Sequence, residues 1–278
     1  MEQIRKTLAD SKAARWTALG VVAFTMLCGY YLTDVMAPLK PMLESQLLWN
    51  SQEYGFFTSA YGWFNVFLLM LIIGGIILDK KGVRFTGKMA TILMVIGTAI
   101  KYWALSTHAL DGGTILGFKS QVLIAGLGYA TFGVGVETAG ITVSKIIVKW
   151  FKGKEMALAM GLEMATARLG TTLAHALGHV SKPVLVCLIL LCVGMVAFFI
   201  YCGMDKKLDA SIAENGPSAE EESSFELKDI LFILKNKAWW YIAILCVLFY
   251  SAVFPFLKYA ADLMVNKFGL DPEVAGLI

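Results

Sequence analysis

Seven apolar runs, each about as long as the ~20 residues needed to cross a hydrocarbon layer, follow one another at roughly 16–37, 54–78, 85–105, 116–148, 156–180, 184–202 and 238–263. A soluble core does not require apolar blocks of that length, and no alternating pattern points to a barrel. The chain is therefore read as an all-α membrane protein, in agreement with 58% hydrophobic against 16% charged residues. Pro38 and Pro41 stop the first run, and Pro255 is expected to kink the seventh. Pro272 to Ile278 reads as the opening turns of an eighth, cut short.

The net charge of +3 is small, so the placement of the basic residues carries the information. They gather in the tail (Arg5, Lys6, Lys12, Arg15), in the 79–88 loop, in the 145–154 hairpin and in the polar segment 205–237. The alternate loops near Lys40, His108, Lys182 and Asp271 hold few. By the positive-inside rule the N-terminus is cytoplasmic, and the first run lacks the small-residue cleavage site of a signal peptide. The expected organisation is a cytoplasmic tail (1–15), a six-helix bundle (16–204), a cytoplasmic linker with an amphipathic stretch at 225–234 (205–237), and the start of a second bundle (238–278). Six spans, a linker and a restarted series describe a transporter with repeated halves. Five cysteines, Cys28, Cys187, Cys192, Cys202 and Cys246, all fall inside apolar runs, so they read as packing residues without a disulfide framework.

Against this apolar background the charged residues within spans stand out. Glu137 lies about 15 residues before Lys152 and Arg168 about 16 after it, so on antiparallel helices rising ~1.5 Å per residue they reach one depth. Placing such groups at a helix centre costs roughly 2.5 to 3.5 kcal/mol, and they normally face a partner or a water-filled cavity. Two readings stand: a permanent salt bridge pinning two helices, or a site in which a zwitterionic ligand separates the pair, carboxylate to Arg168 and ammonium to Glu137. Asn65 and Tyr250 lie at mid-depth and are added as candidate contacts. Glu163 sits about 140° around the helix from Arg168, as a helix-contact acid or as a site or proton group. Tyr30 and Asp34, one turn apart, are either an interfacial belt or cavity lining, and Lys101 is expected to snorkel between Tyr102 and Trp103. Gly74 and Gly75 should admit a close helix neighbour. His175 and His179 have no partners at metal spacing. No cofactor loop, metal set or nucleophile–base constellation is present, so an enzyme is not expected. The expected partners are the bilayer and a small solute; neither nucleic acid nor a cofactor is required.

Gly75, Asp79, Lys80, Gly82 and Arg84 match the loop signature between helices two and three of the major facilitator superfamily. The runs Gly135-Val136-Glu137-Thr138, Trp150-Phe151-Lys152-Gly153-Lys154-Glu155 and Gly161 to Gly170 resemble helices four and five of the lysosomal dipeptide uniporter family. Tyr61-Gly62-Trp63-Phe64-Asn65-Val66, Ala252-Val253-Phe254-Pro255-Phe256 and Lys267-Phe268-Gly269 extend the resemblance over nearly the whole chain. The resemblance implies a major facilitator fold, a dipeptide held by Glu137 and Arg168, transport without an ion gradient, and a gating role for Gly75, Asp79, Gly82 and Arg84. Three positions depart from the family: Val143-Ser144 stands where members tend to carry a Gln-Asn pair, and Glu163 where the residue is usually an uncharged amide. The outer loops lack a glycosylation acceptor and the tail lacks an acidic dileucine signal. Both point to a prokaryotic relative in an inner (plasma) membrane, without an accessory glycoprotein subunit. Two alternatives remain, a proton-coupled carrier of another organic anion or amino acid and a non-transporting receptor or scaffold.

Overall fold

The computed structural model describes residues 7–115, 117–167, 180–214 and 232–275. Ten α-helices are described: α1 Lys12–Val35, α2 Lys40–Leu47, α3 Ser51–Ser59, α4 Trp63–Phe67, α5 Met70–Ser106, α6 Ser120–Phe151, α7 Met156–Ala167, α8 Ser181–Ala213, α9 Lys237–Phe268 and α10 Pro272–Ala275. Five of them, α1, α5, α6, α8 and α9, are long and apolar enough to cross a membrane. A two-residue antiparallel pair, β1 Thr114–Ile115 with β2 Phe118–Lys119, is a small addition to the expected all-α architecture. The fifth run beyond residue 167, with Arg168, His175 and His179, lies outside the described residues, as does most of the linker.

Local chemistry sets several boundaries. The Ser11 side chain accepts from the backbone of Ala14 and starts α1, while Asn50 and Glu53 form a reciprocal capping box at the head of α3, at 2.8 and 2.9 Å. The second apolar run differs from the single helix expected over 54–78. After α3 the chain takes a 3-10 turn, Ala60–Gly62, then the short α4, and breaks at Leu68–Leu69, where Leu69 has φ 52°. The tightened turn presses the Tyr61 carbonyl against α6 at Gly133, where there is no Cβ to oppose it. At its other end the sixth run also exceeds expectation: α8 continues past Cys202 to Ala213, which keeps Asp205 and Asp209 helical.

α5 is two spans joined at Gly82, which takes φ 75°. Contacts along α6 trace the reversal. Phe57, Tyr61, Gly74 and Asp79 meet α6 at Tyr129, Gly133, Thr138 and Lys145, in ascending order, whereas Ala90 and Gly97 meet it at Gly135 and Gly128, in descending order. One arm is therefore parallel to α6 and the other antiparallel. Gly97 and Gly128 face each other backbone to backbone; an added Cβ on Gly128 would stand 2.6 Å from the Gly97 carbonyl. The helix end with the tail and the basic hairpin is called the basic end below. There Arg15 pairs with Glu155 and Lys154 with Asp10, both at 2.8 Å, tying the tail to the α6–α7 hairpin. The hydrogen bonds from Lys154 and Thr7 hold the Asp10 carboxyl down at about 2.

Of the packing expectations, Gly74 fulfils the close-approach role against Thr138, while Gly75 has open space above it. Lys101 is a correction. It does not snorkel to an interface but is fully buried, with its ammonium 4.3 Å from the Tyr129 ring centroid and near Phe57 and Phe132 as well. The rings are already gathered there by their stacking on Tyr129, so the lysine stem is drawn inward. All five cysteines are free thiols, and the Cys28 sulfur fills the space over Gly194.

Gly97→Leu is expected to destabilise the protein by at least ~1–3 kcal/mol, because a side chain there must displace backbone. Gly20→Ala, on a part of α1 with nothing within 4 Å, should gain about 0.4–1 kcal/mol. Thermal unfolding in detergent checks the opposite signs.

Candidate functional site

A cavity of about 620 Å³ lies between α1, α3, α6 and α9, within the ~300–1,000 Å³ range usual for small-molecule sites. Its acid is Glu137, brought there by the glycine-rich middle of α6 and bonded by the Tyr61 hydroxyl. That hydroxyl is placed by the same 3-10 turn that interrupts the second run. The opposing wall is one stripe of α9, in which Tyr250, Phe254 and Lys258 recur every fourth residue, flanked by Pro255 and Tyr259. The Lys258 ammonium donates to the Thr33 carbonyl at 2.6 Å, and the Tyr129 hydroxyl donates to the same oxygen at 3.3 Å.

A smaller space of about 280 Å³ adjoins Glu137 on the side of α7, where Glu163 lines it together with Tyr30 and Ser144. Glu163, 8% exposed, thus shares this small space with the site acid. Tyr30 lines both spaces and is likewise a cavity residue.

The other candidates are distributed. Tyr250 joins Glu137 at the cavity. Asn65 sits on α4, apart from the cavity lining, with both polar atoms of its amide buried and unpartnered among the described residues. Arg168 lies outside the described residues. Near the basic end, Gly75 and Asp79 line a third space of about 380 Å³, opposite Leu234 and Trp239. Asp79 pairs with Lys145 at 3.0 Å. Arg84, just past the Gly82 turn, pairs with Asp205 and Asp209 of α8, and Lys149 of α6 bridges the same two carboxylates at 2.7 and 2.6 Å. Asp205 is 1% exposed and also accepts from the Tyr201 hydroxyl, so its charge is compensated three ways.

At the opposite end α9 is tied to the first helices. The Lys40 side chain, 2% exposed, places its ammonium 2.7 Å from Glu44 and 2.9 Å from Asp262 of α9. Burial opposes its charged form, yet the hydrogen bonds and charges of the two acids outweigh burial and raise its pKa. Tyr54 reinforces the joint, its ring edge-on to Tyr259 and its hydroxyl within 3.3 Å of the Lys258 carbonyl.

Comparison with known proteins agrees with this architecture. Residues 19–278 match the family model of the Major Facilitator Superfamily. The chain belongs to the major facilitator superfamily. Among curated facilitators it is 26% identical over 290 residues to the human lysosomal dipeptide transporter MFSD1, covering 96% of this chain and 57% of that one. The zebrafish (Danio rerio) lysosomal dipeptide transporter MFSD1 is 26% identical over 269 residues, covering 90% of this chain and 54% of its own. A galacturonate transporter of Dickeya chrysanthemi is 28% identical over 168 residues, covering 60% of this chain and 43% of its own. The chain thus spans little more than half the length of the dipeptide transporters it matches. In fold it is similar to the xylose transporter XylE from E. coli, with a TM-score of 0.65 at 13% identity, covering 96% of this chain and 67% of that one.

Within this facilitator, sequence reasoning missed Tyr61 and Lys258 at the cavity, Asp262 at the opposite end, and Lys149, Asp205 and Asp209 at the basic end. The four-residue spacing of Tyr250, Phe254, Lys258 and Asp262 was a usable signal for the α9 face. No comparable signal exists for Asp205, which reads as linker until α8 is seen to extend through it.

Lys40→Met should leave Glu44 and Asp262 uncompensated and cost about 1–3 kcal/mol of stability. Adding Asp262→Asn should recover part of the loss, and a double-mutant cycle of melting temperatures measures it.

Proposed function

We propose that this facilitator carries small zwitterionic solutes, dipeptides foremost, across an inner plasma membrane by alternating access, with the basic end cytoplasmic. The observation that carries the reading is the Glu137 carboxylate facing a cavity between the six-helix part and α9, the seam at which the halves of such a carrier would move. A ligand ammonium can replace the Tyr61 hydroxyl as partner of Glu137, so the acid stays compensated in both the empty and the loaded carrier. Arg168 is proposed as the site for the ligand carboxylate. Together the two charges reject solutes lacking either end, because each such solute strands one of them. The 26% identity to dipeptide transporters supports this solute class. The Gly75–Arg84 turn and its ion pairs are proposed to steady one face of the cycle, with Gly82 supplying the reversal and Asp79 and Arg84 the charges. Uniport is the proposed mode.

One observation favours a second reading. Two carboxylates, Glu137 and Glu163, line the same small space, and acids within spans are the groups that serve as proton relays in transporters. On this reading Glu163 carries a proton and the solute is an organic anion.

In liposomes containing the full-length protein, Arg168→Gln is expected to abolish dipeptide uptake, and Glu137→Gln to reduce it ~10- to 100-fold, with folding intact in both. Undiminished uptake by Arg168→Gln rejects the two-ended clamp. An imposed pH gradient should leave the wild-type rate unchanged; acceleration by an acidic outside that is lost in Glu163→Gln establishes the second reading instead.

A further inference from the structure

α9 rests on α1, α2 and α3, and it leaves uncovered the seam between the second arm of α5 and α8. These two helices meet where the Phe198 ring fills the space over Gly87 and where the Cys202 thiol lies 3.9 Å from the Arg84 carbonyl. Outside that contact runs an exposed apolar stripe, Ile92 and Ile96 on α5 beside Val196 and Ile200 on α8. Toward the basic end the stripe gives way to two exposed cations, Lys88 of α5 and Lys206 of α8. The Lys88 ammonium stands 5.7 Å from the Phe199 ring centroid, and Lys206 follows Phe199 by two turns on the same side of α8. Between them Gly203 has nothing within 4 Å of the place a Cβ would take, which leaves a gap in the wall.

Cations so close to acids would ordinarily be paired. Here Arg84 and Lys149 hold both neighbouring carboxylates, Asp205 and Asp209, so among the described residues Lys88 and Lys206 have no carboxylate or hydrogen-bond partner. Helical side chains tilt toward the N-terminus of their own helix. α8 runs toward the basic end and the second arm of α5 runs away from it, so the two stems lean toward each other over Gly203. Lys88 is accordingly within electrostatic reach of Cys202, the residue next to Gly203.

We propose that this seam binds one anionic phospholipid of the leaflet at the basic end, with its phosphate between Lys88 and Lys206 and an acyl chain along the apolar stripe. Charge complementarity selects the headgroup, since two ammonium groups without acceptors match phosphate oxygens. The continuity of the lysines with an exposed apolar wall selects a lipid over a soluble anion, which would find a use for the lysines alone. The gap at Gly203 gives the phosphate room to approach both helices. A phosphate accepting from both lysines ties α5 to α8 beside the Gly82 turn. It thereby adds an exchangeable outer member to the ion-pair cluster that Arg84 and Lys149 form with Asp205 and Asp209. The six-helix part is then expected to be more stable in an anionic bilayer than in a zwitterionic one.

The test titrates the full-length protein in detergent with phosphatidylglycerol and, in parallel, with phosphatidylcholine, following the melting temperature. Phosphatidylglycerol is expected to raise it saturably and phosphatidylcholine to leave it unchanged. Each lysine beside an anionic headgroup contributes about fivefold in affinity, so Lys88→Gln with Lys206→Gln should weaken the apparent affinity about 25-fold. Lys88→Arg with Lys206→Arg should stay within about threefold of the wild type, as should Lys235→Gln with Lys237→Gln, which removes two exposed cations at the head of α9. Both lysines of the seam are at the surface, so the lipid-free melting temperature should not move; if the double variant does unfold, the two single variants carry the test at about fivefold each. Full affinity in the neutral double variant, or an equal loss in the α9 control, means that the basic end attracts anionic lipid diffusely and overturns the inference. An equal saturable rise with sodium phosphate, abolished by the same neutral variants, also overturns it, because the apolar stripe then plays no part.

Discussion

An ammonium group stripped of water needs acceptors, and Lys40 finds one on its own helix and another on α9. This pairing settles how the last long helix is seated. Asp262 reaches Lys40 only with its stripe of α9 turned inward, and the same rotation turns Lys258, Phe254 and Tyr250 into the cavity. The Tyr54–Tyr259 contact and the reach of Tyr54 to the Lys258 carbonyl follow from that seating. At the basic end the same requirement is met differently. Arg84 and Lys149 converge on Asp205 and Asp209, so the Gly82 turn of α5 is joined to the ends of α6 and α8. One ion-pair cluster consolidates the bundle, and the other connects it to α9.

Much of the architecture was legible because hydrophobic length is a local property. The order of the apolar runs among the described residues, the reversal at Gly82, and the cavity position of Glu137 follow from run length, turn chemistry and the cost of burying a carboxylate. The broken second run was not legible. Its residues are mostly apolar, and the 3-10 turn lies where the Tyr61 carbonyl meets Gly133, a contact between distant residues. Lys101 was misplaced for a similar reason. A lysine beside Tyr102 and Trp103 looks interfacial, but Phe57, Tyr129 and Phe132 come from elsewhere in the chain and form a box that no local pattern announces. Asp205 and Asp209 were hidden by the assumption that polar residues after a span belong to a linker. Their carboxylates are instead held in a helical end by cations from two other helices.

The cavity combines these two kinds of determinant. Glu137 could be found from sequence because a lone acid in an apolar helix is conspicuous. Lys258 could not, since a lysine near the end of a long span has an ordinary explanation at the membrane surface. Its place at the cavity follows from the seating of α9, which also brings its ammonium to the Thr33 carbonyl. The second half of a site built between repeated halves is therefore the harder half to read.

The glycine seam between α5 and α6 has a consequence for how such a molecule can change over time. Where backbone lies on backbone, no side chain can be trimmed or enlarged to alter the spacing, so the two helices behave as one stiff beam. The stripe of α9 meets α1, α2 and α3 through side-chain tips that can be exchanged one at a time. Mutational drift is thus confined at Gly97 and Gly128 and permitted along Tyr250, Phe254 and Lys258. A lineage can alter that stripe of α9 while inheriting the beam unchanged.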